Sequence, residues 1–442
     1  MKDTRQIISR LLTNLGSARE VEQYLRQYSS VDAVTFAVIK VGGGIIEQNL
    51  DGLASALTFL HRVGLFPIVV HGAGEQLDEA LKTEGISSEK VDGMRLTTPQ
   101  ILEVARKVFQ RVNLRLVEEL EEMGTRARPI TSGVFEAQPM QEGRFGLVGE
   151  VVRVHRDVID ASIRSGHLPI IACLGETPSG QILNVNADVA ARELAEAIQP
   201  HKIIFLTPTG GLLNEHQRPI PAVNLTEDYE DLLSQPWVHS GMRLKLQEIK
   251  QLLDVLPDTS SVSITSPERL ARELFTHQGS GTLVRKGERV RVFDSFDGVD
   301  RPRLRALLEG CFGRELVPDY FEKKKLDHLY LTDSYRATAI ITREGPVPYL
   351  DKFAVTREAQ GLGLGASLWG RMRKNVEQLY WRSRADNAIN NWYFQQSQGS
   401  FRSDKWIVFW YGMKSYDQIR QCVESALALP PTFRDTDAQG AA

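Results

Sequence analysis

The feature that most restricts the fold is an order of segments repeated through the first two thirds of the chain. A short, continuously apolar run ends in glycine, and a stretch with helical spacing follows. Phe36-Ala-Val-Ile-Lys-Val41 runs into Gly42, Gly43 and Gly44, and Leu50 to Val63 then has the period of a helix. Pro67-Ile-Val-Val-His71 runs into Gly72-Ala73-Gly74, where a second helix opens. Further apolar runs at Ala127 to Thr131, Leu168 to Cys173, Lys202 to Thr207 and Val262 to Ile264 read as strands, with helices between most of them. Strands that are apolar on both faces and alternate with helices predict an α/β unit with a mainly parallel central sheet, covered on both sides.

The pattern changes near residue 290. Arg291 to Ser295 reads as a strand, Arg301 to Cys311 as a helix, and Leu329 to Asp333 and Ala337 to Thr342 alternate like antiparallel strands. Lys352 to Thr356 is one more strand, followed by a glycine loop, a helix over Ala366 to Leu379 and a dense run of aromatics. This is a second, smaller α+β unit. At ~150 residues per domain, a 442-residue chain is too long for one core. The expected layout is an N-terminal helical segment at 1–30, a first domain at 31–287, a second at 296–429, and a disordered tail at 430–442, rich in Pro, Thr, Asp, Gly and Ala. The N-terminal segment repeats Ile7, Ile8, Leu11, Leu12 and Leu15, then Val21, Tyr24, Leu25 and Tyr28, with a break at Gly16. It docks either on the body of its own domain or on another subunit.

Composition closes several alternatives. A net charge of −3 gives no global attraction to nucleic acid or anionic membrane, so phosphate binding must be local. No run approaches the ~20 apolar residues that span a bilayer. Cys173, Cys311 and Cys422 lie far apart without metal-ligand spacing, which fits a reducing compartment, and the N-terminus does not read as a signal peptide. The expectation is a cytoplasmic enzyme acting on small molecules.

The chain has no GxxxxGK[ST] loop. It has Lys40 at the end of a strand, running into three glycines, and Gly72-Ala73-Gly74 at the end of the next strand. Two such loops side by side bare backbone N–H groups at helix N-termini and can cradle a polyphosphate. Asp188, alone, reads as a helix N-terminal carboxylate, and Lys245, alone, as a solvated lysine.

Together with their neighbours, these residues resemble the amino-acid kinase family, in particular its N-acetylglutamate kinases. The matching pieces are Ile39-Lys40-Val-Gly42-Gly43-Gly44, Val70-His-Gly-Ala-Gly74, Asp92-Gly-Met-Arg95-Leu-Thr, Asn184-Val-Asn-Ala-Asp188, Thr207-Pro-Thr-Gly-Gly211 and Gly241-Met-Arg-Leu-Lys245, in the family's order. The resemblance implies that Lys40 and Lys245 flank the transferred phosphoryl group and that Asp188 holds both lysines. It implies that Gly43, Gly44 and Gly74, with Thr207, Thr209 and Gly210, contact ATP, supplied with Mg²⁺. Gly72, Ala73, Arg95 and Asn184 would hold N-acetylglutamate; Ala73 departs from the glycine of many relatives but keeps its N–H. The chemistry is consistent. A side-chain carboxylate with a pKa of about 4 is already ionised at neutral pH, so the site needs positive charge and positioning rather than a base.

Gln360-Gly361-Leu-Gly363-Leu-Gly365 precedes the second unit's helix. A Rossmann reading fails, because Arg357-Glu-Ala intervenes after the strand and the surroundings alternate like antiparallel sheet. The loop resembles the Q/R-x-x-G-x-G/A loop of GNAT acetyltransferases. With Tyr349-Leu-Asp-Lys352-Phe-Ala-Val355, Arg384-Ala-Asp-Asn387, Asn391-Trp392-Tyr393 and Trp406 to Gly412, it is similar to the acetyltransferase domain of vertebrate-like N-acetylglutamate synthases. The resemblance implies that Lys352, Arg384 and Asn387 bind glutamate. Val355, Gln360, Gly361, Gly363 and Gly365 would bind acetyl-CoA, and Tyr393 would protonate the departing thiolate. By itself Tyr393 reads as a core aromatic beside Trp392, and Lys352 as a solvated lysine on an edge strand.

The two resemblances meet in bifunctional enzymes of arginine biosynthesis. The alternative is a monofunctional synthase whose kinase-like domain senses arginine; the presence of Lys40, Asp188 and Lys245 argues for two live activities. Glu273-Leu-Phe-Thr276 and Gly279-Ser-Gly-Thr282 resemble the segment of arginine-sensitive kinases. That implies arginine as a feedback inhibitor, with Glu273 and Gly279 at its site and Glu268 where a histidine is often found. The N-terminal helix implies a homo-oligomer, a tetramer.

Overall fold

The computed structural model describes residues 36–91, 94–238, 240–257, 260–275, 280–360 and 363–434. The N-terminal helical segment expected at 1–30, Gly279 and Gly361 lie outside them. Apart from Thr226–Asp228, which belong to the second unit, the chain divides into two compact units at Lys286 and Gly287.

The first unit is built on an eight-stranded sheet. Its order is Ala222–Asn224, Thr282–Arg285, Ser261–Thr265, Lys202–Leu206, Ala37–Val41, Ile68–His71, Leu168–Ala172 and Ala127–Ile130. All neighbours run parallel except Ser261–Thr265 with Thr282–Arg285. The expected mainly parallel sheet is therefore present. Its central strands are apolar throughout because helices cover both faces. Pro129 sits in the edge strand, where its missing N–H leaves no ladder bond broken.

One core gathers Ile39, Val69, Ile170, Leu116 and Leu194, and a second gathers Phe205, Val262, Ile264, Leu246, Ile249 and Leu253. The long helix Pro99–Glu122 starts where Thr98 caps it, accepting from the Ile101 N–H at 3.2 Å, with Pro99 in the first turn. Two local differences from the sequence reading matter. Gly43 and Gly44 are not loop residues but the first turn of a short helix, Gly43–Gln48. A four-stranded sheet, ordered Ile182–Asn184, Leu174–Glu176, Phe135–Pro139 and Gly149–Val154, had no counterpart in the expected elements.

The second unit is a seven-stranded sheet, ordered Val290–Phe293, Leu326–Thr332, Ala337–Thr342, Tyr349–Val355, Leu379–Arg384, Trp406–Tyr411 and Gly399–Arg402. It is antiparallel except at its middle, where Tyr349–Val355 and Leu379–Arg384 run parallel and pair only at Tyr349 and Tyr380. The helix expected over Ala366 to Leu379 runs instead over Leu364–Asn375, since Val376 leaves helical geometry (φ −120°, ψ 103°). Leu379 to Arg384 is a strand, with Leu379, Tyr380 and Trp381 buried in succession between layers on both faces. The tail expected to be disordered from Pro430 is ordered as far as Arg434. Its backbone bonds to Glu315 and Val317, and Phe433 bridges to Leu316.

Candidate active sites

The first site forms at the carboxyl ends of three adjacent parallel strands, where an open α/β sheet places its ligands. Lys40 lies near the end of Ala37–Val41, in register with Phe205 and Val70 on its two neighbours. The glycine segments after Ala37–Val41 and Ile68–His71 touch. The Gly72 N–H donates to the Val41 carbonyl at 3.0 Å, and the Gln76 amide donates to the Gly43 carbonyl at 2.8 Å. A Cβ on Gly43 would collide with the Gln76 Oε1 and stand 3.3 Å from the Gly74 nitrogen. One on Gly72 would press on the Ala187 Cβ at 3.1 Å. Glycine is needed here for close approach. The result is that three helix N-termini, at Gly43, Gly74 and Ala187, converge beside Lys40. No side chain caps the first two, so their leading N–H groups and partial positive charge are open to an anion.

Asp188 sits in the first turn of the helix Ala187–Ile198, where Asn186 caps the end by accepting from the Asp188 and Val189 N–H groups. Its carboxylate pairs with the Lys40 ammonium at 2.6 Å. Lys245, on the helix Ser240–Val255, is the second cation of the group. Burial and the nearby Lys40 push its pKa down, while Asp188 and Glu248 oppose the shift. Lys40, Asp188 and Lys245 are thus brought together as expected from the sequence.

Sequence reasoning missed Glu248, one helical turn from Lys245 and facing the same charges. Burial and the Asp188 carboxylate raise its pKa to about 7, against the pull of Lys40, Lys245 and Arg192. Spacing of three residues on one helix was its only signal. Beneath the site, His71 is buried and its pKa is lowered by burial to about 4, so it is neutral. Asn113 bonds its ring at 3.0 Å.

The remaining expected residues fall into two groups. The Thr207 and Thr209 hydroxyls are 3.2 Å apart, Thr209 donates to the Gly211 carbonyl at 2.9 Å, and Gly210 takes a positive φ of +67° to turn the loop. This loop follows Lys202–Leu206, the strand next to Lys40. Arg95 and Asn184 are joined through Thr97, which accepts from Asn184 at 3.2 Å and donates to the Arg95 carbonyl at 3.0 Å. The Arg95 guanidinium is engaged by Asp78 at 2.5 Å and by Ser88. Farther off, the buried Glu273 carboxylate accepts from the Ser280 and Gly281 N–H groups at 2.8 and 3.0 Å.

The second site opens where the two parallel strands of the second unit stop pairing. Trp392 stacks on Phe353 at 5.4 Å between ring centres, and Tyr393 packs edge-on against Trp381 at 5.5 Å. The Gln360 amide donates to the Val355 carbonyl at 3.4 Å. Gly363, at φ +73°, starts the helix Leu364–Asn375 without a side-chain cap. A Cβ on Gly365 would meet the Val355 methyl at 3.4 Å, so the loop lies directly on the end of that strand. An uncapped twelve-residue helix behind a glycine loop is suited to a pyrophosphate.

Tyr393 lies in an aromatic cluster with Trp369, Trp381, Trp392 and Phe409. Burial raises its pKa well above the usual phenol value, so it is protonated at any working pH. Arg384 ends its strand, exposed, and the Asn387 N–H turns back to its carbonyl at 3.0 Å. Asn390, another residue missed from sequence, fixes this turn by donating to the Arg384 carbonyl at 2.7 Å and the Ala385 carbonyl at 3.3 Å. Lys352 is not the solvated lysine its sequence context suggests. It is buried and paired with Asp351 at 2.5 Å.

Comparison with known proteins agrees with this geometry. The profile of the amino acid kinase family matches residues 35–255, and that of the N-acetyltransferase of N-acetylglutamate synthase matches residues 290–428. An acetylglutamate kinase of Xanthomonas campestris pv. campestris is 52% identical over 424 residues, covering 95% of this chain and 100% of that protein. The mitochondrial N-acetylglutamate synthase of Mus musculus is 33% identical over 440 residues, covering 98% of this chain and 80% of that protein. Among solved structures, N-acetylglutamate synthase from Neisseria gonorrhoeae, complexed with coenzyme A and N-acetyl-glutamate, shares the fold. It aligns with a TM-score of 0.58 and 20% identity over 89% of this chain and 98% of that one. The chain belongs to the amino acid kinase family, and its kinase domain is followed by the N-acetyltransferase domain of N-acetylglutamate synthase.

Proposed function

We propose that the chain carries out two reactions of arginine biosynthesis: acetyl transfer from acetyl-CoA to L-glutamate, and ATP-dependent phosphorylation of the side-chain carboxylate of the resulting N-acetylglutamate. The observation that carries the kinase half is the Lys40–Asp188 pair at 2.6 Å with Lys245 beside it. In phosphoryl transfer, negative charge gathers on the transferred group and on the leaving ADP oxygen. Two lysines and the converging helix N-termini meet that charge with dipoles already in place. The substrate carboxylate attacks without a base, and Mg²⁺ enters with ATP as part of the substrate. Asp188 orients the lysines and has no proton to accept.

In the acetyltransferase half, the glutamate amine attacks the thioester carbonyl and the C–S bond breaks. The coenzyme A thiolate then takes a proton. Tyr393, protonated and held in an apolar cluster, is suited to donate it, and water relays the proton lost by the amine. Lys352, Arg384 and Asn387 are assigned to the carboxylates and backbone of glutamate. Arginine is assigned as inhibitor, with Glu273 at its site, and the assembly as a homotetramer. The position of Glu273 supports the first of these, since it braces the Ser280–Gly281 turn beside the segment that resembles arginine-sensitive kinases.

Both half-reactions are measured on the purified protein: ADP released from ATP and N-acetylglutamate, and free thiol released from acetyl-CoA and glutamate. Each is expected to turn over. Absence of ADP release, with thiol release intact, refutes the kinase assignment and leaves a monofunctional synthase.

A further inference from the structure

Lys352 and Arg382 stand just past the last pairing of their two strands, at Tyr349 and Tyr380. The C-terminal segment Pro430–Arg434 reaches both. The Arg382 guanidinium donates to the carbonyls of Ala426 at 2.6 Å and Pro430 at 3.4 Å. The Lys352 ammonium donates to the Thr432 hydroxyl at 2.8 Å and lies 5.2 Å from the centre of the Phe433 ring. Elsewhere the segment is pinned by the Val317 N–H on the Thr432 carbonyl at 3.1 Å and the Arg434 N–H on the Glu315 carbonyl at 2.8 Å. It is a strap across the opening between the two strands.

The three donors of Lys352 are divided unequally. Asp351 takes two, its carboxylate at 2.5 Å and its carbonyl at 3.2 Å, and Thr432 takes the third. Asp351 is itself fixed by the Tyr320 hydroxyl at 2.6 Å and by Lys324 at 3.0 Å, and Lys324 also pairs with Glu344 at 2.6 Å. Burial opposes the charge on Asp351, but the two lysines and their hydrogen bonds hold its carboxyl well below the usual range. The charges are Lys324, Lys352 and Arg382 against Asp351 and Glu344. Among these described residues one positive charge is left over, enough to receive one carboxylate.

We propose that Thr432 is a binding residue for the amino-acid substrate's carboxylate, and that Asp351 is the positioning residue that aims Lys352 at the same group. A hydroxyl both accepts and donates. With its oxygen accepting from Lys352, Thr432 retains its proton for an incoming carboxylate, while Lys352, its three donors already taken, contributes its charge. The strap thereby brings a residue 80 positions away into the site. The assignment rests on the reading of Lys352 as a glutamate-binding residue.

The test is steady-state kinetics of the full chain with Thr432→Val, Thr432→Ser and Lys352→Met. Thr432→Val keeps the side-chain shape and removes the hydroxyl. It is expected to raise the glutamate KM on the order of tenfold, the size of one lost hydrogen bond to a charged group, with kcat and the acetyl-CoA KM within threefold. Thr432→Ser is expected to restore the wild-type KM. Kinase turnover, read on the same samples, is expected to be unchanged. A Thr432→Val glutamate KM that is unchanged or lower, or a loss that serine does not rescue, overturns the Thr432 assignment. If Lys352→Met also leaves the glutamate KM unchanged, it is the reading of Lys352 that fails. If Lys352→Met raises it and Thr432→Val does not, only the inference about the strap fails.

Discussion

Asp188→Asn probes the centre of the kinase site with little change of shape. The wild-type carboxylate accepts from the Lys40 ammonium at 2.6 Å, and asparagine converts this charge-assisted bond into a neutral one. Bonds to charged groups contribute about 1.5–3 kcal/mol, roughly twice their neutral counterparts. Lys40 is 19% exposed and Asp188 33%, so solvent screens the pair and the lower half of that range applies. A second loss adds to it. Lys245 is pushed toward neutrality by burial and by Lys40, and Asp188 is one of the two anions that oppose this. Together the two effects amount to about 2–3 kcal/mol of transition-state stabilisation, or roughly 30- to 150-fold in kinase kcat. The pH profile carries a sign. The kinase needs Lys245 charged, so activity falls as pH rises through the Lys245 pKa. Removing Asp188 lowers that pKa further, and the alkaline limb moves to lower pH. Coupled ADP assays from pH 6 to 9 measure both effects, and thiol release by the other domain on the same sample reports that the protein is intact. A kinase kcat within threefold of wild type, or an alkaline limb that moves up, refutes the role assigned to Asp188.

Three further changes test separate parts of the structure. Glu248 has a folded-state pKa raised from 4.5 to about 7, so its ionisation opposes folding progressively as pH rises across that window. Glu248→Gln is therefore expected to slow hydrogen exchange in the helix Ser240–Val255 at pH 8 by about 1–2 kcal/mol, after discounting for partial exposure, and to leave it unchanged at pH 4. An equal effect at both pH values contradicts the shift. Tyr393→Phe keeps the aromatic cluster and removes the acid; thiol release is expected to fall about 10²–10³-fold in kcat while the glutamate KM and kinase turnover hold. A fall of less than threefold removes Tyr393 from the mechanism. Asp351→Asn leaves Lys324 and Lys352 without their shared buried anion and is expected to destabilise the second unit by about 3–5 kcal/mol. A melting temperature unchanged in calorimetry contradicts it.

Lys40, Asp188 and the Thr207 loop were legible from the sequence because each sits at a punctuation point, whereas Lys245, inside a helix, stood out only through the family resemblance. Lys40 ends an apolar run before glycines, Asp188 opens a helix, and the Thr207 loop ends a strand. Such positions are set by local rules that a linear text preserves. Glu248 was not legible, because a glutamate on an amphipathic helix is usually solvated and only the packing of Ser240–Val255 turns it inward. The four-stranded sheet was missed because Leu174–Glu176 and Ile182–Asn184 have three residues each, too few to show a period of two. Lys352 was misjudged in isolation for a different reason. Thr432, which bonds it, and Tyr320 and Lys324, which fix its partner Asp351, come from three separate elements, and the charge that makes its burial possible exists only in the folded unit. Pro430–Arg434 has a disorder-prone composition but is ordered by bonds to segments over 100 residues earlier, which no composition rule registers.

The two sites use one device for opposite demands. In each, a glycine segment beyond a strand exposes the N-terminus of a helix, because both substrates present phosphates, transferred in the first reaction and only held in the second. The surroundings differ because the reacting charges differ. Phosphoryl transfer brings an anion to an anion, so the first site sets Lys40 and Lys245 around Asp188 and keeps its histidine neutral and out of the way. Acetyl transfer joins an uncharged amine to a thioester, and the negative charge ends on the departing sulfur. Fixed cations at that point would hold the thiolate; a phenol kept protonated by Trp369, Trp381 and Phe409 can instead neutralise it. The cations of the second site stand elsewhere, at Lys352 and Arg382, where an amino acid's carboxylate would be held rather than transformed. Tyr393→Lys would bury an unpaired ammonium among these rings, and is expected to cost the second unit stability as well as its reaction.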